Sequence, residues 1–262
     1  IWDWGLFVGG AVPPLIFGVA FGNLFQGVPF YFDNNLASYY TGSFWELLNP
    51  FALLCGLVSS TMITFHGAVY LSLRTEGAVG ARAHKSVYIF GSLLILTFTI
   101  AGIWLWQAIP GYVIESTVNT NALPNPLGKS VVRETGAWLT NYQRYPLTML
   151  LPLVVYATVP MAMHLISRGK NLLGFVASSL AIIGVIGTAG ASMFPFVMPS
   201  STDFGSSLTV WDSVSSHLTL GIMLVATLIF MPIIILYTSW AYKVMSGKVT
   251  LAYIKENDHS AY

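Results

Sequence analysis

Long apolar stretches alternate with shorter polar ones along the 262 residues of the chain. A helix that spans a bilayer needs about 20 mostly apolar residues, and six windows meet that requirement. Backbone polar groups in hydrocarbon must be paired within their own element, so we interpret the windows as helices. The alternation typical of a membrane barrel strand is missing from the pattern. The six predicted helices cover roughly residues 4–25, 46–73, 87–109, 146–167, 172–194 and 217–242.

The polar segments between these windows divide the chain into no separate units. We therefore expect a single transmembrane helical domain over residues 1–262, of the all-α polytopic class. The one sizeable segment outside the membrane is loop 110–145, in which part 129–140 is predicted to form a short surface helix. The chain starts with Ile1 inside an apolar run, which we interpret as a truncated start.

Composition supports a membrane location. Charged residues make up 8% of the chain, whereas a soluble domain carries about 25%. The net charge is +1, so nothing indicates a nucleic-acid partner, which requires a basic face. The single cysteine, Cys55, excludes an internal disulfide and is interpreted as a small packing residue.

Basic residues predict how the chain is oriented, because cytoplasmic loops are enriched in Lys and Arg. Loop 74–86, turn 168–171 and the tail after residue 242 contain eight of the eleven basic residues. Loops 26–45 and 195–216, on the opposite side, contain none. This alternation predicts that both ends of the chain are cytoplasmic, in a bacterial or archaeal cytoplasmic membrane.

Small and aromatic residues predict how the helices pack and where they end. Glycines four residues apart allow helix backbones to approach closely, which makes the first and fifth helices the candidates for tight contact. Tryptophans favour the membrane–water interface, and an interface belt is the interpretation for all eight of them. The glycines concerned are Gly5, Gly9, Gly18, Gly22, Gly184, Gly187 and Gly190, and the tryptophans include Trp138 and Trp211 in outer loops.

Ionisable residues inside membrane windows are candidates for function because they are costly to bury. Asp3 and Glu46 lie at window ends, His217 begins the sixth window, and His66 and His164 lie deeper. Haem ligation by His66 or His164 is one interpretation, since histidine is a frequent axial ligand. Hydrogen bonding within the bundle, or a place near the headgroups, is the favoured alternative. No catalytic, cofactor-binding or metal-binding residue is therefore assigned.

Two outer segments also contain charged residues. Glu115, Arg133 and Glu134 lie in loop 110–145, where a solvated ion-pair cluster is favoured over a site. Asp212 precedes the sixth apolar window, and we predict that it caps that helix by accepting from its first backbone N–H groups. Pro195 and Pro199 are expected to end the fifth helix.

The prolines and glycines within the apolar windows leave a transporter or channel as one possible functional class, because such proteins contain broken helices. Pro13 and Pro14, which should kink the first helix, and the glycines of the fifth helix agree with it. The scarcity of charged residues at mid-depth opposes it. Taken alone, these features indicate a membrane scaffold.

Several strings of the chain resemble subunit II of the cytochrome bd-type quinol oxidases. They occur in order along the chain: GVAFGNLFQGVPF (18–30), YYTGSFWELLNPF (39–51), GAW (136–138), MFPFVMPSS (193–201) and SLTVWDSVSSHLTL (207–220). The resemblance extends from the first residue to the last.

The resemblance implies an accessory subunit of an oxidase that oxidises quinol and reduces dioxygen to water. It implies a partner, subunit I, that carries haem b and haem d, together with small single-helix accessory subunits. It also implies support for assembly of the haem-bearing subunit and a structural quinone or lipid in this subunit. The family has eight helices in two four-helix bundles, so the first two are expected to be missing here, and no haem ligand transfers to His66 or His164.

Overall fold

Helices account for most of the structure, a computed structural model that describes residues 2–117, 124–244, 246–247 and 250. Six helices are long and apolar enough to cross a membrane, which confirms the polytopic all-α prediction. Their bounds are α1 Trp2–Gln26, α2 Pro50–Arg74, α3 Gly77–Ala108, α5 Leu150–Ser167, α6 Asn171–Met193 and α7 His217–Val244. A short helix, α4 Thr140–Arg144, precedes a 3₁₀ turn at Pro146–Met149.

Three helix starts differ from the sequence prediction by four residues or more, one of them because a 3₁₀ turn at Pro146–Met149 precedes Leu150, where α5 begins. The second helix begins at Pro50, where Asn49 accepts a hydrogen bond from the Ala52 N–H at 2.9 Å and so caps it, and a separate 3₁₀ turn covers Trp45–Leu48. The third helix begins at Gly77, ten residues before the predicted start at 87. With 32 residues α3 is about 48 Å long, which exceeds a hydrocarbon core of about 30 Å. Its charged first turns therefore extend beyond the apolar window.

Glycine contacts hold two helix pairs together. A Cβ atom at Gly18 would collide with the backbone carbonyl of Cys55, and one at Gly22 would lie 2.5 Å from the Ala52 Cα. At the α5–α6 contact, a Cβ at Gly184 would lie 2.8 Å from Val155. Tight packing by the first and fifth predicted helices is thus confirmed for α1 against α2 and for α6 against α5. Among the described residues, none lies within 4 Å of a Cβ atom placed at Gly5, Gly9 or Gly190.

The buried core divides into two clusters at different depths. One joins α2, α3, α5 and α6 through aliphatic side chains and Phe65, which is fully buried. The other gathers aromatic residues at the ends of α1, α2, α3 and α6, with Trp138 at its centre. In contrast, α7 has no buried residue and lies apart from the packed helices. Helix α1 runs unbroken through Pro13 and Pro14.

Three small antiparallel sheets lie beyond one end of the helices. They pair β1 Phe30–Phe32 with β2 Ser38–Tyr40, β3 Pro110–Ile114 with β4 Val131–Thr135, and β5 Phe196–Met198 with β6 Leu208–Thr209. We call segments 27–49, 109–117, 124–149 and 194–216 together the cap. The predicted helix over 129–140 is wrong, because this part forms β4 followed by a 3₁₀ turn at Ala137–Leu139. Its Val131-Val132 pair belongs to a strand that pairs with β3.

Candidate functional site

The polar run between α6 and α7 forms the interior of the cap. Ser200, Ser206, Ser207 and Thr209 are completely buried. Their hydroxyl groups are used locally: the Ser207 hydroxyl accepts from the Ser200 N–H at 2.9 Å, and the Ser206 hydroxyl accepts from the Phe32 N–H at 3.0 Å. Buried polar groups with partners cost little. A segment rich in Ser and Thr therefore serves here as a folded core and not as a solvated turn.

One buried ion pair joins two distant parts of the cap. The Lys129 ammonium donates to Asp212 Oδ2 at 2.7 Å, and the two side chains are 3% and 7% exposed. Lys129 also donates to the Pro126 carbonyl at 2.7 Å, and the Thr209 hydroxyl donates to the same Asp212 oxygen at 2.6 Å. These extra hydrogen bonds offset the desolvation of both charges.

The pairing of Asp212 corrects its predicted role as a helix cap. Helix α7 begins at His217, five residues further along the chain, and Ser216 Oγ accepts from the Thr219 N–H at 3.3 Å. A cap must directly precede the helix whose N–H groups it binds. The sequence reasoning missed Lys129 as the partner, since 83 residues separate the two side chains.

Arg133 binds the end of α1 rather than a carboxylate. Its guanidinium donates to the Gln26 carbonyl at 3.4 Å and lies 5.3 Å from the centre of the Tyr112 ring. Neither Glu115 nor Glu134 forms an ion pair with it in the part of the chain that the structure describes. The predicted ion-pair cluster is therefore wrong. Arg133 instead places positive charge at a helix C-terminus, where the helix dipole favours it.

Aromatic side chains complete this binding of α1. Trp138, 1% exposed, donates from its indole N–H to the Phe25 carbonyl at 3.1 Å. Tyr112 donates from its hydroxyl to the Gln26 carbonyl at 3.3 Å. Burial raises the pKa of Tyr112 to about 12, although the nearby Arg133 charge acts in the opposite direction. The interface-belt interpretation is wrong for Trp138, which lies in the core of the cap.

Three of the histidines lie on different helices, α2, α5 and α7. His66 Nδ1 and the Ser178 hydroxyl are 2.8 Å apart, which links α2 to α6, and the imidazole lies against the Phe175 ring. His164 and His217 are exposed, on α5 and at the start of α7. The described residues contain no group of three or more His, Cys, Asp or Glu side chains that could hold a metal ion. Hydrogen bonding within the bundle is thus what the structure shows for His66.

A cavity of about 1020 Å³ lies between the helices and the underside of the cap. We call it the membrane cavity. Sequence reasoning missed it, because a cavity is lined by the same aromatic and methionine side chains that fill a core. Its apolar lining includes Phe17, Phe21, Phe51, Met62, Ile63, Phe98 and Ile186, and its polar rim on the cap side includes Glu134, Thr140, Tyr142 and Gln143.

The rim of the membrane cavity is held in place by hydrogen bonds to α6. The Tyr142 hydroxyl lies 2.9 Å from Ser192 Oγ and donates to the Thr188 carbonyl at 3.0 Å. Burial raises the pKa of Tyr142, and the hydrogen bond from Ser192 opposes this shift. Deeper in the cavity, the Tyr156 hydroxyl lies 2.9 Å from Thr99 Oγ1. The arrangement suits an elongated ligand with an apolar body and a polar head at the cap.

Comparison with known proteins identifies related sequences. Residues 1–245 match the family model described as cytochrome bd terminal oxidase subunit II. The chain is 48% identical over 263 residues to cytochrome bd-I ubiquinol oxidase subunit 2 of Escherichia coli, an alignment that covers 100% of this chain and 69% of the relative. It is 45% identical to a probable cytochrome oxidase subunit 2 of Haemophilus influenzae, with the same coverage, and 26% identical over 252 residues to cytochrome bd ubiquinol oxidase subunit 2 of Bacillus subtilis.

Proposed function

Because the chain belongs to the cytochrome bd terminal oxidase subunit II family, we propose that it acts in a complex that oxidises quinol and reduces dioxygen to water. The observation that supports this most strongly is the 48% identity over the whole chain to a ubiquinol oxidase subunit. The transporter or channel alternative is not favoured, since each relative is named as an oxidase subunit.

We propose further that this subunit does not carry out the redox chemistry itself. Haem b and haem d then belong to the partner, subunit I, and small single-helix subunits complete the complex. The hydrogen bond between His66 and Ser178 supports the assignment of the haems to subunit I. The exposure of His164, at the end of α5 away from the cap, supports it as well. The role of this chain is to support assembly and stability of the haem-bearing subunit.

The exposed apolar surfaces supply a place for partners. None of the residues of α7 is buried, and the first half of α1 contains exposed side chains such as Trp4, Phe7 and Val8. In a bilayer such faces contact lipid or other helices. We assign contacts with subunit I and with the accessory helices to these two elements, and treat the chain as one membrane domain.

The membrane cavity fits a structural quinone or lipid. Pockets for small molecules usually measure about 300–1,000 Å³ and combine apolar walls with few polar groups, and this cavity has about 1020 Å³. Gln143 and Thr140 would face a polar head, and Phe21, Ile63 and Ile186 an isoprenoid or acyl chain. Such a molecule would fill space between the helices and thereby stabilise the subunit.

Charge distribution supports a location in the bacterial cytoplasmic membrane with the cap outside. The cap contains six of the acidic residues, whereas the opposite ends of the helices contain Arg74, Arg82, Lys85, Arg168 and Lys170. The excess of basic residues marks the cytoplasmic side.

Spectroscopy and activity test this proposal together. The complete protein is produced with its partner subunit, and the purified complex is assayed for haem absorbance and for quinol-dependent oxygen consumption. We expect both, and an unchanged haem spectrum in the His66→Ala variant. A complex without haem, or one that loses a haem signal in His66→Ala, would contradict the assignment.

A pair of glycine variants tests the cavity ligand. Gly102 lines the membrane cavity with open space around it, and Gly67 has open space but lies outside the lining. Gly102→Leu should reduce the quinone or lipid extracted per complex, whereas Gly67→Leu should not. Equal amounts in both variants would show that the cavity does not hold the molecule.

A further inference from the structure

A second cavity opens at the basic end of the helices, opposite the cap. It has a volume of about 460 Å³ and is lined by Leu73 at the end of α2 and by residues 169–173, which form the α5–α6 turn and the start of α6. We call it the inner groove. Asn171 fixes its walls, since its side-chain N–H group donates to the Ser72 carbonyl at 2.8 Å. The inner groove shares no lining residue with the membrane cavity.

Positive charge surrounds the inner groove. Lys170 lines it and is exposed, and Arg168 is exposed two residues earlier in the same turn. Arg74 directly follows the lining residue Leu73, and its guanidinium lies 5.7 Å from the centre of the Tyr70 ring. Residues 168–173 include no acidic residue, and residues 74–86 include only Glu76. The groove therefore has a net positive environment that favours an anion.

Apolar side chains continue the inner groove toward the membrane. Leu172 and Leu173, in the first turn of α6, are 63% and 53% exposed. They follow Lys170 directly, so charged and apolar surfaces meet within one helical turn. A free inorganic anion makes no use of exposed leucines, whereas a phospholipid presents a phosphate and acyl chains at this spacing. The combination of charge and apolar surface thus favours a lipid.

Asn171, in the wall of the groove, also has a buried acceptor atom. The side-chain carbonyl oxygen of Asn171 is buried and has no hydrogen-bond partner among the residues that the structure describes. Buried polar atoms without partners are uncommon and call for an explanation. The wall of the groove therefore contains a polar atom that the described helices leave without a partner.

We propose that the inner groove binds the headgroup of an anionic phospholipid, with Lys170 and Arg168 contacting the phosphate and Leu172 and Leu173 contacting an acyl chain. The site is separate from the quinone or lipid assigned to the membrane cavity, and it uses only the orientation given under the proposed function. Basic pockets on the cytoplasmic side of membrane helices recognise anionic headgroups in this way.

The test uses the intact complex in nanodiscs that contain phosphatidylcholine with a fraction of phosphatidylglycerol. Native mass spectrometry counts the phosphatidylglycerol molecules retained by the wild type, by Arg168→Gln/Lys170→Gln, and by Arg82→Gln/Lys85→Gln. The last variant removes equal charge from α3 on the same side, outside the groove. Since each basic side chain near an anionic membrane contributes about fivefold, the groove variant should bind the lipid about 25-fold more weakly.

Several outcomes would overturn the lipid site. Equal phosphatidylglycerol retention by the two double variants would show that only general surface charge matters. Equal retention of phosphatidylcholine by the wild type would remove the requirement for an anion. If inorganic phosphate displaced the lipid at equal concentration, the groove would bind phosphate and not a phospholipid. Retained haem absorbance and oxygen consumption in all variants would keep these results independent of the oxidase assignment.

Discussion

Helices α2 and α7 are both apolar enough to span a membrane, yet their surroundings in this chain are opposite. Ten residues of α2 are buried, and it contacts α1, α3, α5 and α6. Helix α7 is the most apolar of the six and has no buried residue. Apolarity in a membrane therefore indicates contact with hydrocarbon. Packing between helices also requires small and weakly polar residues, as at Gly56, Thr61 and Ser72 of α2.

The largest effect is expected from the segment that leads into α7. Because α7 lacks packing of its own, its connection to the cap depends on the segment before it, which the Lys129–Asp212 pair holds together with the hydrogen bond from the Val210 N–H to the Pro195 carbonyl. Asp212→Ala leaves a buried ammonium group without its partner, so the complex should lose about 3–5 kcal/mol of stability. The thermal denaturation midpoint of the purified complex, together with proteolysis within residues 194–216, measures the loss.

A double variant serves as the control for that experiment. Lys129→Met combined with Asp212→Asn removes both charges and keeps a side-chain oxygen that accepts from Thr209, so most of the stability should return. A single variant Asp212→Ala that melted with the wild type would show that the buried pair does not fix the segment, and that α7 is held in another way.

A smaller effect should distinguish the glycines of packed and unpacked helices. Gly18→Leu places a side chain against the backbone of α2 and should cost about 1–3 kcal/mol. A Cβ atom at Gly221 in α7 meets no described residue of this chain within 4 Å, so Gly221→Leu should be less destabilising than Gly18→Leu. Should Gly221→Leu be the more destabilising of the two, α7 would be packed against a partner more tightly than α1 is against α2.

The smallest effect concerns one hydrogen bond between helices. Ser178→Ala removes the contact of α6 with His66 and should destabilise the complex by about 0.6 kcal/mol, the average for such bonds in membranes. The matched control is Thr227→Val in α7, whose hydroxyl donates to the Met223 carbonyl of its own helix. Identical melting curves for Ser178→Ala and the wild type would remove His66 from the α2–α6 contact.

The six helices could be predicted from sequence because bilayer thickness imposes a length and a composition on each. The cap could not, since its contacts join residues far apart in the chain. Lys129 gave no sign that its partner was Asp212, and Trp138 has the same sequence signature whether it lies at the membrane surface or in a buried core. The glycine pairs were more informative, because Gly18 and Gly22 lack the side chain that close contact with α2 excludes.

The membrane cavity and the inner groove escaped prediction for a related reason. Both are defined by space left between helices, and a linear pattern contains no information about empty volume. Phe98 and Met62 line the membrane cavity, but the same residue types in the same sequence pattern also occur in a filled core. The charge of Lys170 is evident from the sequence and predicts orientation. That Lys170, Leu172 and Leu173 line one groove follows only from the packing of the helices.

The hydrogen bonds from the cap to the end of α1 determine how this helix responds to a change in bilayer thickness. The carbonyls of Phe25 and Gln26 are bound by Trp138, Tyr112 and Arg133, so this end of the helix cannot slide relative to the cap. With 25 residues α1 is about 37 Å long, against a hydrocarbon core of about 30 Å. Hydrophobic mismatch in thinner or thicker membranes is then absorbed at the opposite end, by tilt or displacement of the first half of α1.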